Sequence, residues 1–529
     1  MSFLGTGFGG ASGGYSITNS ARFNGTSDYL SRTPGSNGNG SKWTLSWWAK
    51  EVAATGTVFE ARVDANNRVL VGQRTGSAAG DICVSIRVAG SYYGFFSTPT
   101  YRDYSAHGHC VIIFDSSLAT NTDRLQFWYN GVRQSVTVDT AYPSLNLATC
   151  VNQTTAVHKI ANMVSTYWGG YLSDFYLIDG QALTPTSFGK TDSNGVWVPI
   201  KYAGTYGTNG FKLEFLSSGA LGTDTSGNGN TWTVSGSPVQ TTDTPTNNYG
   251  TLNPLDKDDG ITSVTNGNLS VITAGSNGSI KATVPFPTGK WYFEVITTAV
   301  NSGGTQTIGI MPQSQPPTNN MSDAAKLGYA LDVSNSARKF ENGTATAYGT
   351  YTRANGQTYM VAFDQTSGKL WFGQGGTWLA SGDPANGTNS TSSSISSATG
   401  YCAAGSDNTV SGTFAFNFGA TAFAYTPPTG FKALCTANLT STAVTTSGTF
   451  TGNANADGPF IWTNGNPATL TINGNAVTFG THADKTAGGF KLRSSSASYN
   501  TSGSNTWTAT AGKRFVYSAT SINTAQGNP

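Results

Sequence analysis

The chain has 529 residues, more than one ordinary domain, and 29 Lys and Arg against 27 Asp and Glu leave a formal charge of only +2. So small a charge makes no field that would gather nucleic acid or an anionic membrane, and no apolar run approaches the roughly 18 residues needed to cross a bilayer. Charged residues are 11% and aromatics 12%, with 66 glycines, a composition suited to an all-β chain of many short strands joined by Gly-Asn-Ser turns.

No stretch sustains a helical apolar period. The five cysteines, Cys83, Cys110, Cys150, Cys402 and Cys435, are odd in number and contain no C-x-x-C pair, which argues against a disulfide framework or a zinc site and for small core residues. Residues 1–18 are rich in Gly and Ser and lack both a basic region and a long apolar core, so they do not read as a signal peptide. They are expected to be a flexible anchor segment, with Phe3, Leu4 and Phe8 inserting into a partner on assembly.

The first folded unit is expected over 19–234. Lys42 to Lys50 is a clear strand, and shorter ones follow at Val58–Ala61, Arg68–Val71 and Cys83–Val88. Cys110–Asp115 pairs naturally with Arg124–Asn130, which ends in the Asn130-Gly131 turn, and Tyr167–Leu177 is another strand. These pieces resemble the concanavalin A-like (laminin-G-like) jelly roll. The likeness is carried by Phe23-x-Gly25-x-x-Asp28-Tyr29, the Tyr129-Asn130-Gly131 hairpin, and Gly170-x-Leu172-x-Asp174 followed by Leu183. Where many relatives have Trp-His, this chain has His107-Gly108-His109, so no ligand role is carried onto those histidines.

Residues 235–254 are a Thr/Pro/Asn linker, stiffened by Pro238, Pro245 and Pro254. Over 255–437 the organising strand is Trp291 to Ile296, with Trp291, Phe293 and Val295 on one face and Tyr292, Glu294 and Ile296 on the other. Thr307–Ile310, Gly328–Asp332 and Lys339–Gly343 follow, the last ending in an Asn-Gly turn. Tyr359–Asp364 and Lys369–Gly373 flank the connection Gln365-Thr366-Ser367-Gly368, and Phe414–Gly419 closes the series. Gly289-Lys290-Trp291-Tyr292-Phe293-Glu294-Val295, then Ile308-Gly309-Ile310, then Asn417-Phe418-Gly419 resembles the SPRY domain in motif and order. That resemblance implies a binding sandwich that performs no chemistry. A third, small β module is expected over 448–529; so few residues make a marginal core, which favours oligomerisation.

The search for chemistry is negative. Retaining glycosidases need carboxyls about 5 Å apart, but Glu51, Glu60 and Glu214 lie in separate elements. Asp64, Asp81, Asp103, Asp115, Asp123 and Asp174 are mostly at turns, where Asx hydrogen bonding explains them. Neither a nucleophile elbow nor a phosphate loop is present. No catalytic residue and no cofactor is expected. The laminin-G resemblance leaves a structural calcium ion open in the first domain, though no acidic spacing specifies one. Aromatics near turns are the remaining lead for ligand binding: Trp378, Trp168, Tyr92 and Tyr93.

The order of jelly roll, connector and SPRY-like sandwich resembles fibre and appendage proteins of tailed bacteriophages. The resemblance implies a non-enzymatic virion protein on the particle exterior that recognises a host-surface glycan or protein. It also implies a homo-oligomer, most simply a trimer, joined to other virion proteins through its amino terminus, with no nucleic-acid partner and no membrane insertion. A capsid-attached decoration fibre or a glycan-cleaving tailspike are the alternatives.

Overall fold

The computed structural model describes residues 14–439, apart from short internal stretches, together with the backbone strands of 447–518. Strands make up 47% of the chain, and among the described residues the only helical turns are short 3-10 segments. The all-β class is therefore as expected. The main compact unit joins Gly9–Lys190 to Pro199–Leu439, and the second is built chiefly on Thr440–Pro529.

The first sandwich packs two antiparallel sheets. One runs, edge to edge, Val132–Arg133, Leu125–Tyr129, Gly108–Asp115, Lys42–Glu51, Gly169–Asp179, Ser20–Asn24 and Val239–Thr241; Phe211–Leu213 lies beside the far half of Gly169–Asp179. The other runs Val136–Val138, Ser91–Ser97, Ile82–Val88, Arg68–Gln73, Gly56–Arg62, Val157–Ile160, Tyr29–Arg32 and Thr233–Ser235. Side chains alternate across a strand, so Trp43, Leu45, Trp47 and Ala49 enter the core with Phe23, Phe114, Phe127 and Phe175. Thr44, Ser46, Trp48 and Lys50 point the other way and are buried as well. Part of that outer face is roofed by Phe188 and Tyr202, which pack on Val111, Ile113, Tyr176 and Ile178. Trp48 stacks on His109 with ring centroids 4.8 Å apart, and Ser46 Oγ meets His109 Nε2 at 2.8 Å.

The second sandwich follows the same logic. One sheet runs Leu252–Lys257, Gly278–Phe286, Tyr401–Asp407, Gln306–Pro312, Tyr329–Asp332, Arg338–Glu341 and Thr344–Ala347. The facing sheet runs Ile261–Thr265, Ser270–Thr273, Thr413–Asn417, Lys290–Ala299, Gln357–Asp364, Lys369–Gln374 and Thr377–Trp378. Phe293 pairs in register with Val361 and stacks on Phe416 at 6.0 Å. Asn342 and Gly343 take φ +48° and +77°, the two-residue turn expected of Asn-Gly.

Three expectations change. Residues 15–18 are ordered on the sandwich: Ile17 is buried, and Tyr15 Oη donates to Asp174 Oδ2 at 2.8 Å. Asp174 is no turn residue. It sits inside Gly169–Asp179 at a bulge between Ser173 and Tyr176, with φ +42°, and accepts from both the Tyr15 and Tyr176 hydroxyls. Finally, the 235–254 stretch is built into the fold. Val239–Thr241 pairs with Ser20–Asn24, and Asp243 is fully buried in an ion pair with Lys50, Nζ to Oδ2 3.0 Å.

In the carboxy-terminal unit, Ser447–Thr451, Ser504–Ala509, Leu470–Ile472 and Asn475–Ala476 form one sheet; Phe479–Ala487, Phe490–Ser495, Phe460–Thr463 and Phe515–Ser518 form another. All five cysteines are free thiols, three buried and two half-buried. Phe3, Leu4 and Phe8 lie outside the described residues.

Candidate functional site

Trp378 is half-buried at the edge of the second sandwich. Gly375 and Gly376, with φ +59° and +86°, turn the chain from Lys369–Gln374 into Thr377–Trp378, so the indole lies beside Gly373 on the sheet edge. A Cβ on Gly376 would lie 3.0 Å from the Tyr425 ring, so that glycine admits Tyr425 to the hairpin. Phe423 completes the group. Trp378, Phe423 and Tyr425 together rest on a buried floor of Tyr292, Met360, Ala362, Trp371 and Phe431.

The buried carboxylate of Glu294 holds this arrangement. Its Oε2 accepts the Ala424 amide at 2.8 Å, and its Oε1 accepts the Tyr425 amide at 2.9 Å and the Tyr292 hydroxyl at 2.8 Å. Three donors on one carboxylate pin the 423–425 loop over the sheet. Burial and the adjacent Glu294 push the Tyr292 hydroxyl well above its ordinary range, so it stays a donor. Tyr292 meets Phe423 edge-on at 4.8 Å and Trp378 at 6.5 Å. A neighbouring anchor is Trp371, whose Nε1 donates to the Thr388 carbonyl at 2.8 Å. The result is three partly exposed rings on a rigid base, able to stack on a sugar or receive an apolar side chain.

The other aromatics singled out by sequence are elsewhere. Trp168 is fully buried in the first core, edge-on to Phe23 at 6.4 Å, and can present no face to a ligand. Its place after a turn in sequence concealed a core position. Tyr92 and Tyr93 lie within the strand Ser91–Ser97 rather than at a turn. They face opposite ways: Tyr93 packs on the core, while Tyr92 lies on the outer face beneath Arg87, 5.3 Å from guanidinium to ring. Trp378 is thus joined by Phe423 and Tyr425, which sequence reading missed. The available signal was the aromatic alternation of Phe423-Ala424-Tyr425.

Among the described residues no group of three or more His, Cys, Asp or Glu could hold a metal ion. Two buried acids of the first sandwich, Asp174 and Asp179, are turned toward hydrogen-bond donors. Asp179 accepts the Asn39 and Asn209 amides at 2.7 and 3.0 Å and the Asn152 side chain at 3.0 Å. Asp174 accepts two phenols and lies 3.7 Å from the Lys212 ammonium. Neither carboxylate fits a cation.

No protein-family model matches the chain, and no curated protein matches it. Among solved structures, the SPRY domain of human HERC1 aligns at 12% identity and a TM-score of 0.26, covering 31% of this chain and 96% of that one. The native heptameric SAP-like pentraxin of Limulus polyphemus aligns at 15% identity and a TM-score of 0.24, covering 32% of this chain and 80% of that one. At such identity and TM-score these are loose likenesses of β-sandwich fold, and nothing about a ligand is argued from them.

Proposed function

We propose that the chain is a non-enzymatic virion protein, a tail fibre or similar exterior appendage of a tailed bacteriophage, that recognises a host-surface glycan or protein. The observation that carries the binding role is the Trp378, Phe423 and Tyr425 patch. Its rings are partly exposed and its loop is fastened by a buried carboxylate, the pre-organised arrangement in which binding loses little entropy. Aromatic rings on a loop-and-hairpin edge of a rigid sandwich are where recognition residues concentrate. In this reading the protein is a homo-oligomer, most simply a trimer, whose copies raise effective concentration at the host surface, and it joins the particle through its amino-terminal segment.

Attachment of the full-length protein to host cells tests the reading. Removing a stacking or hot-spot aromatic costs about 2 kcal/mol or more, roughly thirtyfold in affinity per site. Trp378→Ala and Tyr425→Ala should each weaken attachment by about that factor while shifting Tm by only a few degrees. Undiminished attachment by both variants would defeat the assignment, as would a collapse of Tm that accounts for the loss.

A further inference from the structure

We propose that the first sandwich carries a second binding site, for an acidic polysaccharide, on the outer face of the sheet that contains Arg62, Arg68 and Arg87. The strand register places these arginines in one row: Arg62 lies opposite Arg68, Arg68 opposite Arg87, and Arg87 opposite Tyr92. Directly opposed residues of antiparallel strands share a face with Cβ atoms about 5 Å apart, and like charges so placed are destabilising. Three successive guanidiniums therefore oppose folding unless a counter-charge is supplied.

Among the described residues Glu60 supplies part of it, its carboxylate acting on Arg62 and Arg68 with Oε1 3.6 Å from Arg62 Nη1, while Arg87 Nη1 reaches the Ala65 carbonyl at 3.5 Å. The Nε atoms of Arg68 and Arg87 are buried without a hydrogen-bond partner. Arg62 keeps 29% of its side chain exposed, and Arg68 and Arg87 are half-buried, so the row is held against the sheet yet open to solvent.

The surroundings indicate the ligand. Guanidinium forks match carboxylate and sulfate bidentately. The adjoining row on the same face runs Lys159, Glu60, Leu70, Ser85 and Gly94, so the small residues lie beside Arg87 and Tyr92. Tyr92 closes the arginine row under Arg87 at 5.3 Å, and Tyr29 lies beyond the adjoining row under Lys159 at 5.4 Å. Acids stand among the cations: Glu60 within the face, Asp64 in the adjacent loop, and Asp139 beside the Tyr92 hydroxyl. Carboxylates accept sugar hydroxyls, and a sequence pI near 8.1 is below that of a typical nucleic-acid-binding domain. A hydroxyl-rich polymer with spaced negative charges fits better than a nucleic acid. This site is on a different sandwich from Trp378, and it does not rest on the reading given for that patch.

The test is titration calorimetry on the full-length protein with four probes: oligogalacturonate, dextran sulfate, neutral dextran and a single-stranded oligonucleotide. Binding is expected for one or both acidic sugars, weakening with salt, and not for neutral dextran. Losing one charge-assisted contact should weaken it about tenfold in Arg68→Gln and in Arg87→Gln. Tm should hold or rise in both, because the like-charge row is relieved, and Trp378→Ala should leave this binding intact. Should Arg68→Gln melt early, Arg68→Lys keeps the charge and loses the fork, and weaker binding at an unchanged Tm supports the site. No binding of either acidic sugar, unchanged affinity in the folded arginine variants, or tighter binding of the oligonucleotide overturns it.

Discussion

Glu51 ends the central strand of the first sandwich with its carboxyl buried and the Gln73 amide donating to it. Burial outweighs that bond and pushes its pKa up to about 8. A carboxyl raised on folding binds a proton that the unfolded chain releases near pH 4.5, so its contribution is complete below that pH and is lost as pH rises toward about 8. Buried histidines act oppositely over a lower range: His109 and His158 fall to about 3 and about 4, so their burial costs stability as pH drops below about 6.5. The window from about 6.5 to 8 therefore isolates the carboxyl of Glu51, raised by burial. We expect stability to decline there, by at most ~1.4 kcal/mol per pH unit for one proton. Glu51→Gln keeps an acceptor for Gln73 and should be the more stable protein at pH 8, with a shallower decline. Denaturant midpoints at four pH values measure this; identical slopes in both proteins would refute it.

At the scale of elements, the decisive piece is the stretch after the first sandwich. Lys50 Nζ donates to Asp243 at 3.0 Å, to Asn248 Oδ1 at 2.9 Å and to the Tyr249 carbonyl at 2.7 Å, and His107 Nε2 meets Asp243 Oδ1 at 3.1 Å. The other end is tied to the second sandwich, where the Asn248 and Thr436 amides are satisfied by Thr436 Oγ1 and the Asn248 carbonyl, both at 2.9 Å. Breaking a buried ion pair by removing one partner strands the other charge, at a cost of about 3–5 kcal/mol. Asp243→Ala should lower unfolding stability by that order, whereas an exposed turn acid such as Asp64, replaced by Ala, should cost far less. Equal effects in chemical denaturation would show that the pair is dispensable.

At the scale of the whole molecule, direct hydrogen bonds join the two sandwiches of the main unit. The Tyr171 hydroxyl of the first donates to the Gly267 carbonyl of the second at 2.8 Å, and the Thr242 amide to the Ala420 carbonyl at 2.9 Å. A Cβ on Gly267, which has φ +75°, would lie 2.5 Å from both Arg22 and Tyr171. We expect calorimetry to show residues 14–439 melting in one transition, and limited proteolysis to spare 235–254. Two resolved transitions, or early cutting there, would mean that the sandwiches are independent.

The sequence by itself determined the class and most strands, because period-two alternation of Trp, Phe and β-branched residues is a local signal that short-range sterics enforce. Trp291, Phe293 and Val295 were legible as core on that ground, and Asn130-Gly131 and Asn342-Gly343 as turns because only such residues take positive φ cheaply. Trp378 was legible as a candidate, but its partners Phe423 and Tyr425 were not. Only the tertiary structure decided which second faces are covered, burying Tyr292, Glu294, Trp48 and Lys50 on strands that a one-sided pattern would leave half in water. It also decided that Trp168 is core, that Asp243 closes an ion pair with Lys50 across 193 residues, and that three arginines from three strands form one row. The physical reason is common to all of these. Register and long-range packing set which side chains meet, and a local window along the chain shows neither.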